Sequence, residues 1–362
     1  MGNKNNNILS LRRTIRGLLS EIDWADTFSD VQQKCLNPQE IVDYLNKVRA
    51  NAFLDYKDRE KFKKGKPFVH AKSEFFRKED TEVDIDYFIN QITTKPNSVV
   101  TKNDKMTKSG GVNEYVYNTG VPAFRGIVYN QKKGTFHLIN TCPGASDCVF
   151  ICYALKGNYI RYPKSYDNMT RRLNLLLNNP EQYKKQLYDE ISAKAEEHKA
   201  FKGYKPKVII RWNDSGDFFA KKYVDIVESV MDKLNEDGYN VSGYAYTKVA
   251  DVAKDADFET TFSSGADKRQ SKNIDLSKSK NSIIVPKEMF NDLDLMKVDD
   301  EIELKDRVSK KFNLNPNDVI SYDEMKATTV LDEPRWHVLV TPDSGDDAAF
   351  RKDVKTILLT QH

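Results

Sequence analysis

Apolar residues near the start of the chain recur at helical spacing. Ile8, Leu11, Ile15, Leu18, Leu19 and Ile22 fall on one stripe when wound at 3.6 residues per turn, which predicts an amphipathic helix. A second helix is expected from Asn37 onward. Asn37, Pro38 and Glu40 give an N-terminal signature, and Ile41, Val42, Tyr44, Leu45 and Val48 form the apolar face behind it. Between residues 67 and 125 the periodicity fades, with Ser109-Gly110-Gly111 and Pro122 as turn formers. A long, partly ordered connection is expected there, and such connections often carry function.

The middle of the chain alternates. Residues 126–129 and 135–140 have strand character and are separated by a turn at 130–134. A helical stretch from 166 to 200 follows, broken at Asn179-Pro180. Residues 207–212, with VIIRW at their centre, read as a strand that runs into Asn213-Asp214-Ser215-Gly216-Asp217. Tyr223, Ile226, Val227, Val230, Met231 and Leu234 make the next helical stripe, closed by Gly238. A strand over 239–246 ends in Thr247-Lys248; a short helix over 249–254 leads to a strand over 258–262 and Ser263-Ser264-Gly265. Strands and helices in this order imply an α/β fold, either a mainly parallel sheet or a partial (β/α) barrel. The polar clusters follow the strands, so they are expected to converge on the C-terminal rim of the sheet, where such folds place ligands.

Residues 266–282 read as a charged loop, 282–285 and 301–304 as strands, 306–312 as a helix, and the polar groups at 315–318 and 322–324 as turns. The tail returns to strand at 336–341, then a polar turn at 343–347, a helix and a last apolar run. The resulting division is an N-terminal helical extension (1–95), an α/β core (96–265), a C-terminal α/β insertion (266–332) and a closing segment that completes the core (333–362).

Composition narrows the function. The 362 residues include 57 Lys and Arg against 54 Asp and Glu, a net charge of +3 that does not by itself argue for nucleic acid. No apolar run approaches the ~20 residues of a membrane span, and the first 24 residues lack a signal-peptide core, so no membrane association is expected. Four cysteines in a chain of this length exclude a disulfide scaffold and fit a reducing cytoplasm.

Three of those four, Cys142, Cys148 and Cys152, share one loop with Pro143 and Gly144 in the pattern C-x5-C-x3-C. Thiolates are soft ligands for zinc or iron–sulfur clusters. Structural zinc takes four ligands, so three thiols in one loop suit a cluster with one open iron, unless His137 completes a zinc site. The plain alternative is three small buried hydrophobes, and Cys35 is expected in the core. In the second cluster, Gly216 permits close backbone approach while Asp214, Ser215 and Asp217 offer oxygens. Asp217 alternatively caps the following helix. Arg211 is placed to bind an anion or pair with an acidic neighbour, and Lys248 to meet an anionic group. His70, His198 and His337 have no partner readable from spacing, and no nucleotide-loop, hydrolase or metalloprotease motif is present.

The segments TCPGASDCVFICYALKG, RRLNLL, IIRWNDSGDFF and GYAYTK resemble the phage gene product 88 family over residues 96–265. A more distant resemblance is to radical S-adenosylmethionine enzymes. These place three cysteines after one strand and a Gly-Gly-Glu-like motif after the next, as Cys142, Cys148, Cys152 and then Ser215-Gly216-Asp217 stand here. The usual spacing is C-x3-C-x2-C, and Asp stands here in place of Glu. That resemblance implies a [4Fe–4S] cluster on the three thiolates and S-adenosylmethionine on its open iron. It further implies that Ser215, Gly216 and Asp217 hold the methionine moiety and that Tyr246, Lys248, Ser263 and Ser264 line the sugar or substrate side. Asp214, Asp217 and Lys248 are then the candidate catalytic groups. Two other functions remain open. One is a zinc-stabilised protein binding or processing nucleic acid or a nucleotide. It would use basic residues in 57–66, 102–108 and 161–172, with Tyr159, Tyr162 and Tyr166 for stacking. The other is a metal-free host-interaction protein. No motif specifies the substrate or the oligomeric state.

Overall fold

The computed structural model describes residues 24–50, 69, 72–146, 148–155, 159, 162–198, 203, 205–294, 297–341 and 343–360. The helix expected over Ile8–Ile22, the charged stretch 57–66 and His70 lie outside the described residues.

After a one-turn helix at Trp24–Thr27 come β1 (Gln33–Leu36), α1 (Pro38–Ala50) and α2 (Ile85–Thr93). Asn37 accepts the amide of Gln39 at 2.9 Å at the start of α1, as its position before Pro38 predicts. Next come β2 (Glu114–Asn118), β3 (Arg125–Asn130) and β4 (Thr135–Asn140), then α3 (Pro163–Asn178) and α4 (Pro180–Glu197). The expected break between the two long helices is present, and the Asn179 side chain caps α4 by accepting the Gln182 amide at 3.1 Å. The alternating part follows: β5 (Lys207–Trp212), α5 (Lys221–Glu236), β6 (Asn240–Thr247), α6 (Ala250–Asp255), β7 (Glu259–Ser263) and β8 (Asn281–Val285). The chain ends with α7 (Val298–Phe312), β9 (Val319–Ser321), α8 (Tyr322–Ala327), β10 (Trp336–Val340) and β11 (Val354–Thr360).

Eight strands form one sheet in the order β2-β5-β6-β7-β8-β11-β10-β9, parallel at every joint. One face carries Val208, Ile210, Trp212, Val241 and Ala245 into a core with Leu187 of α4 and Val227 of α5. It continues through Val285, Leu339 and Leu358, which pack on Leu304 and Val308 of α7. The other face buries Val116, Ile209, Tyr244, Val338 and Ile357 against Met106, Met325, Ala348 and Ala349. Burial on both faces explains why Val208, Ile209 and Ile210 in β5 and Val338, Leu339 and Val340 in β10 are consecutive apolar residues rather than alternating ones.

Several sequence expectations change. The 135–140 strand does not join the parallel sheet; β4 pairs antiparallel with β1 and β3 in a three-stranded sheet of its own. Its place beside β5 is taken by β2, from the stretch expected to be a long, partly ordered connection, which also supplies α2. α1, α2 and the small sheet share a core of Ile41, Leu45, Phe88, Ile92, Ile127, Phe136 and Leu138. Residues 301–304 are helical: Leu304 is buried on the α7 stripe while Ile302 is exposed, so helical rather than strand spacing governs there. The turn expected at 322–324 opens α8 behind a Ser321–Glu324 capping box, and the helix expected after 347 is a single 3-10 turn. The 266–332 segment contributes β8 and β9 to the main sheet. Cys35 is exposed on β1, an edge strand, and not in the core.

Candidate functional site

The cysteine loop is laid across the C-terminal ends of β5, β6 and β7. It begins just after β4, where the Thr141 carbonyl accepts the Asp217 amide at 2.8 Å and the Thr141 hydroxyl donates to the Pro122 carbonyl at 2.6 Å. Gly144 lies against the Lys248 carbonyl, where a Cβ would collide, and its own carbonyl accepts the Asp267 amide at 2.9 Å. Ala145 bridges Ala266, and Ser146 donates to the Gly265 carbonyl from both its amide (3.2 Å) and its hydroxyl (3.0 Å). Gly265, at φ +77°, packs on Cys148, and Cys152 packs with Ala123 and Tyr166. The convergence expected from the strand-end clusters is therefore found for the cysteines, Asp217, Lys248 and Gly265.

The Cys142 sulfur accepts the Phe124 amide at 3.3 Å. Phe124 holds φ +65°, a left-handed conformation that costs an aromatic residue about 1–3 kcal/mol and that clusters at functional positions. Burial pushes the Cys142 thiol well above its usual range, and nearby Asp217, Cys152 and Cys148 push it the same way. The Phe124 amide acts in the opposite direction but does not prevail. Cys148 and Cys152 thus lie near enough to act on Cys142, and the Arg125 guanidinium feels the Cys142 thiol as well. Among the described residues, no three His, Cys, Asp or Glu converge closely enough to hold a single metal ion. His137 bonds Thr135 at 2.9 Å and packs edge-on to Trp24, 5.1 Å between ring centroids.

Asp217 is buried, and burial raises its carboxyl, opposed by the donors it accepts. Those donors are the Thr247 hydroxyl (2.7 Å), the Lys248 amide (2.8 Å) and its neighbour's amide, Phe218 (2.7 Å). It therefore clamps the end of β5 to the end of β6. It does not cap α5, which starts at Lys221 behind Ala220. Gly216, at φ +79°, serves a close approach within the protein, since a Cβ would strike Val121. Asp214 accepts from Asn118 and from the Tyr159 hydroxyl (2.6 Å) through Oδ2, while its Oδ1 and the Ser215 hydroxyl are buried with no partner among the described residues. Ser263 and Ser282 bond each other at 3.3 Å, and the Ser264 hydroxyl accepts the Ile284 amide at 3.2 Å.

One group was not singled out by sequence reasoning. Asp346, in the 343–347 turn, is buried beneath Arg211 and pairs with it at 2.8 Å. It also meets Lys105 at 3.2 Å and accepts the Tyr244 hydroxyl at 2.8 Å and the Tyr246 hydroxyl at 3.4 Å. Arg211 thus takes the acidic-neighbour alternative, with its guanidinium 5.2 Å from the Tyr246 ring centroid. The basic stretches expected to face nucleic acid are partly internal. Arg171 is engaged by Glu74 and Gln91, and Arg172 by the carbonyls of Ser98 and Gly120. Tyr166 is buried, Tyr159 is bonded to Asp214, and Tyr162 is exposed.

The sequence model of the family described as gene product 88 matches residues 97–352, more than half of the chain. No curated protein and no solved structure matches it. Among the described residues, no helix is long and apolar enough to cross a membrane.

Proposed function

The chain belongs to the gene product 88 family, and we propose that it is an iron–sulfur protein of the radical S-adenosylmethionine kind. Cys142, Cys148 and Cys152 would hold a [4Fe–4S] cluster. The observation that carries this reading is the Cys142 sulfur, which accepts a backbone amide from strained Phe124 in a loop seated on the rim of a parallel sheet. Amide hydrogen bonds to ligating sulfur are a recurrent way in which proteins tune such clusters. The donor set fits. Cys148 and Cys152 lie near enough to Cys142 to act on its thiol, and three cysteine sulfurs would leave one iron of such a cluster open.

Such a cluster, with one iron left open, would supply the one-electron reduction that cleaves S-adenosylmethionine. The protein's share is placement. Asp217 acts as a positioning residue, fixing the Lys248 amide and Thr247 beneath the cysteine loop, and Ser215, Tyr246, Ser263 and Ser264 offer polar groups near the same rim. Asp214, through Tyr159 and Tyr153, ties the segment after Cys152 back to β5. The test is to add S-adenosylmethionine to the anaerobically reconstituted, reduced protein and follow its EPR spectrum and the release of 5′-deoxyadenosine. A changed spectrum with nucleoside release supports the reading. An unchanged spectrum, or zinc in place of iron, overturns it.

A further inference from the structure

A second chemistry sits around Arg211 on β5, next to the segment that follows Cys152. Arginine offers five N–H donors in a planar fork. Nη1 is used by Asp346 at 2.8 Å, and Nη2 meets the Tyr153 hydroxyl at 3.1 Å. Nε is enclosed and, among the described residues, has no hydrogen-bond partner. Nε and Nη2 form the side edge of the guanidinium, the edge that takes two oxygens of a carboxylate or phosphate in parallel. Only the Tyr153 hydroxyl occupies it.

The charges point the same way. Asp346 is shared by Arg211 and Lys105, so two cations rest on one carboxylate. Asp346 is therefore not reserved for Arg211, and it engages Nη1 alone, leaving the opposite edge of the guanidinium for a second oxyanion.

Tyr153 is a replaceable partner. It lies in a single 3-10 turn immediately after Cys152, and the residue is 47% exposed although its hydroxyl reaches inward to the chain. Its hydroxyl bonds the Asp214 carbonyl and Arg211. A side-chain rotation would uncover Nη2 beside the unpartnered Nε without disturbing the Arg211–Asp346 pair.

We propose that the Nε/Nη2 edge of Arg211 is an oxyanion subsite, taking the carboxylate or phosphate of a ligand, with Tyr153 as its movable cover. The subsite does not depend on the cluster, although Cys152 is the neighbour of its cover.

The experiment titrates inorganic phosphate and, separately, acetate into the full-length protein by calorimetry at constant ionic strength. It uses the wild type and the variants Tyr153→Ala, Arg211→Lys and Cys142→Ala, with circular dichroism to confirm folding. Removing the cover is expected to tighten binding of the preferred anion by about tenfold, and replacing the fork by a point charge to weaken it by at least about tenfold. Preference for phosphate over acetate, or the reverse, identifies the source of the group. Cys142→Ala is expected to bind as the wild type does, which separates this subsite from the fate of the cluster. The proposal is overturned if neither anion binds the wild type or Tyr153→Ala. Equal affinities in the wild type, Tyr153→Ala and Arg211→Lys overturn it as well.

Discussion

Replacing Asp346 by Asn tests the buried charge network most sharply. The Asp346 side chain is 1% exposed and the Arg211 side chain 10%, so their 2.8 Å pair is shielded from water. Burial alone would raise the Asp346 carboxyl, yet Arg211 and Lys105 hold it below its usual range, so the carboxylate is charged at neutral pH. Asn keeps the size and can still accept the Tyr244 hydroxyl, but it removes the counter-ion. Breaking a buried pair from one side costs about 3–5 kcal/mol, because the remaining charge stays desolvated. Lys105 is about one-third exposed and can turn to solvent, so its 3.2 Å contact adds little. The surviving Tyr244 bond places the expected loss at about 3–4 kcal/mol. Urea unfolding followed by tryptophan fluorescence measures it, with Trp212 at the end of β5 as a buried reporter. Adding Arg211→Met should recover about 2 kcal/mol or more, since an apolar side chain leaves no stranded charge. A loss below about 1 kcal/mol for Asp346→Asn, or a double variant less stable than the single one, refutes the reasoning.

Two further outcomes follow from the packing. Burial pushes the Asp167 carboxyl up to about 6 from 3.8, against the donors Ser73 and Glu74 that favour its ionised form. Because the folded pKa is raised, the folded state holds this proton more tightly. The associated stability is fully present below about pH 3.8 and is lost as the pH rises through about 6, a change of roughly 3 kcal/mol. The stability of the wild type relative to Asp167→Asn should therefore fall by that order between pH 4 and pH 7 in denaturant titrations, and a flat difference contradicts it. Gly144→Ala places a methyl group against the Lys248 carbonyl, where neither backbone can easily yield. It should lower the iron retained after anaerobic reconstitution several-fold while leaving the far-ultraviolet circular dichroism unchanged; full iron retention would show that the loop does not need this close seating.

Much of the sheet was legible because the apolar run of β5, the helical stripe of α5 and the turns at Gly238 and Gly265 stand out locally. β2 was not, since five residues bounded by loops carry too little periodicity to stand out. β4 was assigned to the wrong sheet because a strand's partners depend on contacts distant in sequence: its pattern fits either sheet, and β1, about a hundred residues earlier, decides the matter. The segment EIEL in α7 alternates polar and apolar residues, so it matches strand spacing locally, and only Val308 one turn on reveals the helix. At the candidate site, the cysteines and strand-end turns were readable as local clusters. Asp346 was not, because its meaning comes from Arg211, which lies across the sheet on a strand far back in the chain. The role of Asp217 also depended on tertiary contacts. A carboxylate after a strand resembles a ligand or a cap until Thr247 and Lys248 are seen to occupy it.

The central claim is that three thiols on the sheet rim hold an iron–sulfur cluster. Iron and acid-labile sulfide measured together on protein purified and reconstituted without oxygen test it directly, with the four single Cys→Ala variants in parallel. The account predicts about four irons and four sulfides per chain in the wild type and in Cys35→Ala, with clear loss in Cys142→Ala, Cys148→Ala and Cys152→Ala. A colourless wild type without iron, or full iron content in all four variants, would contradict it.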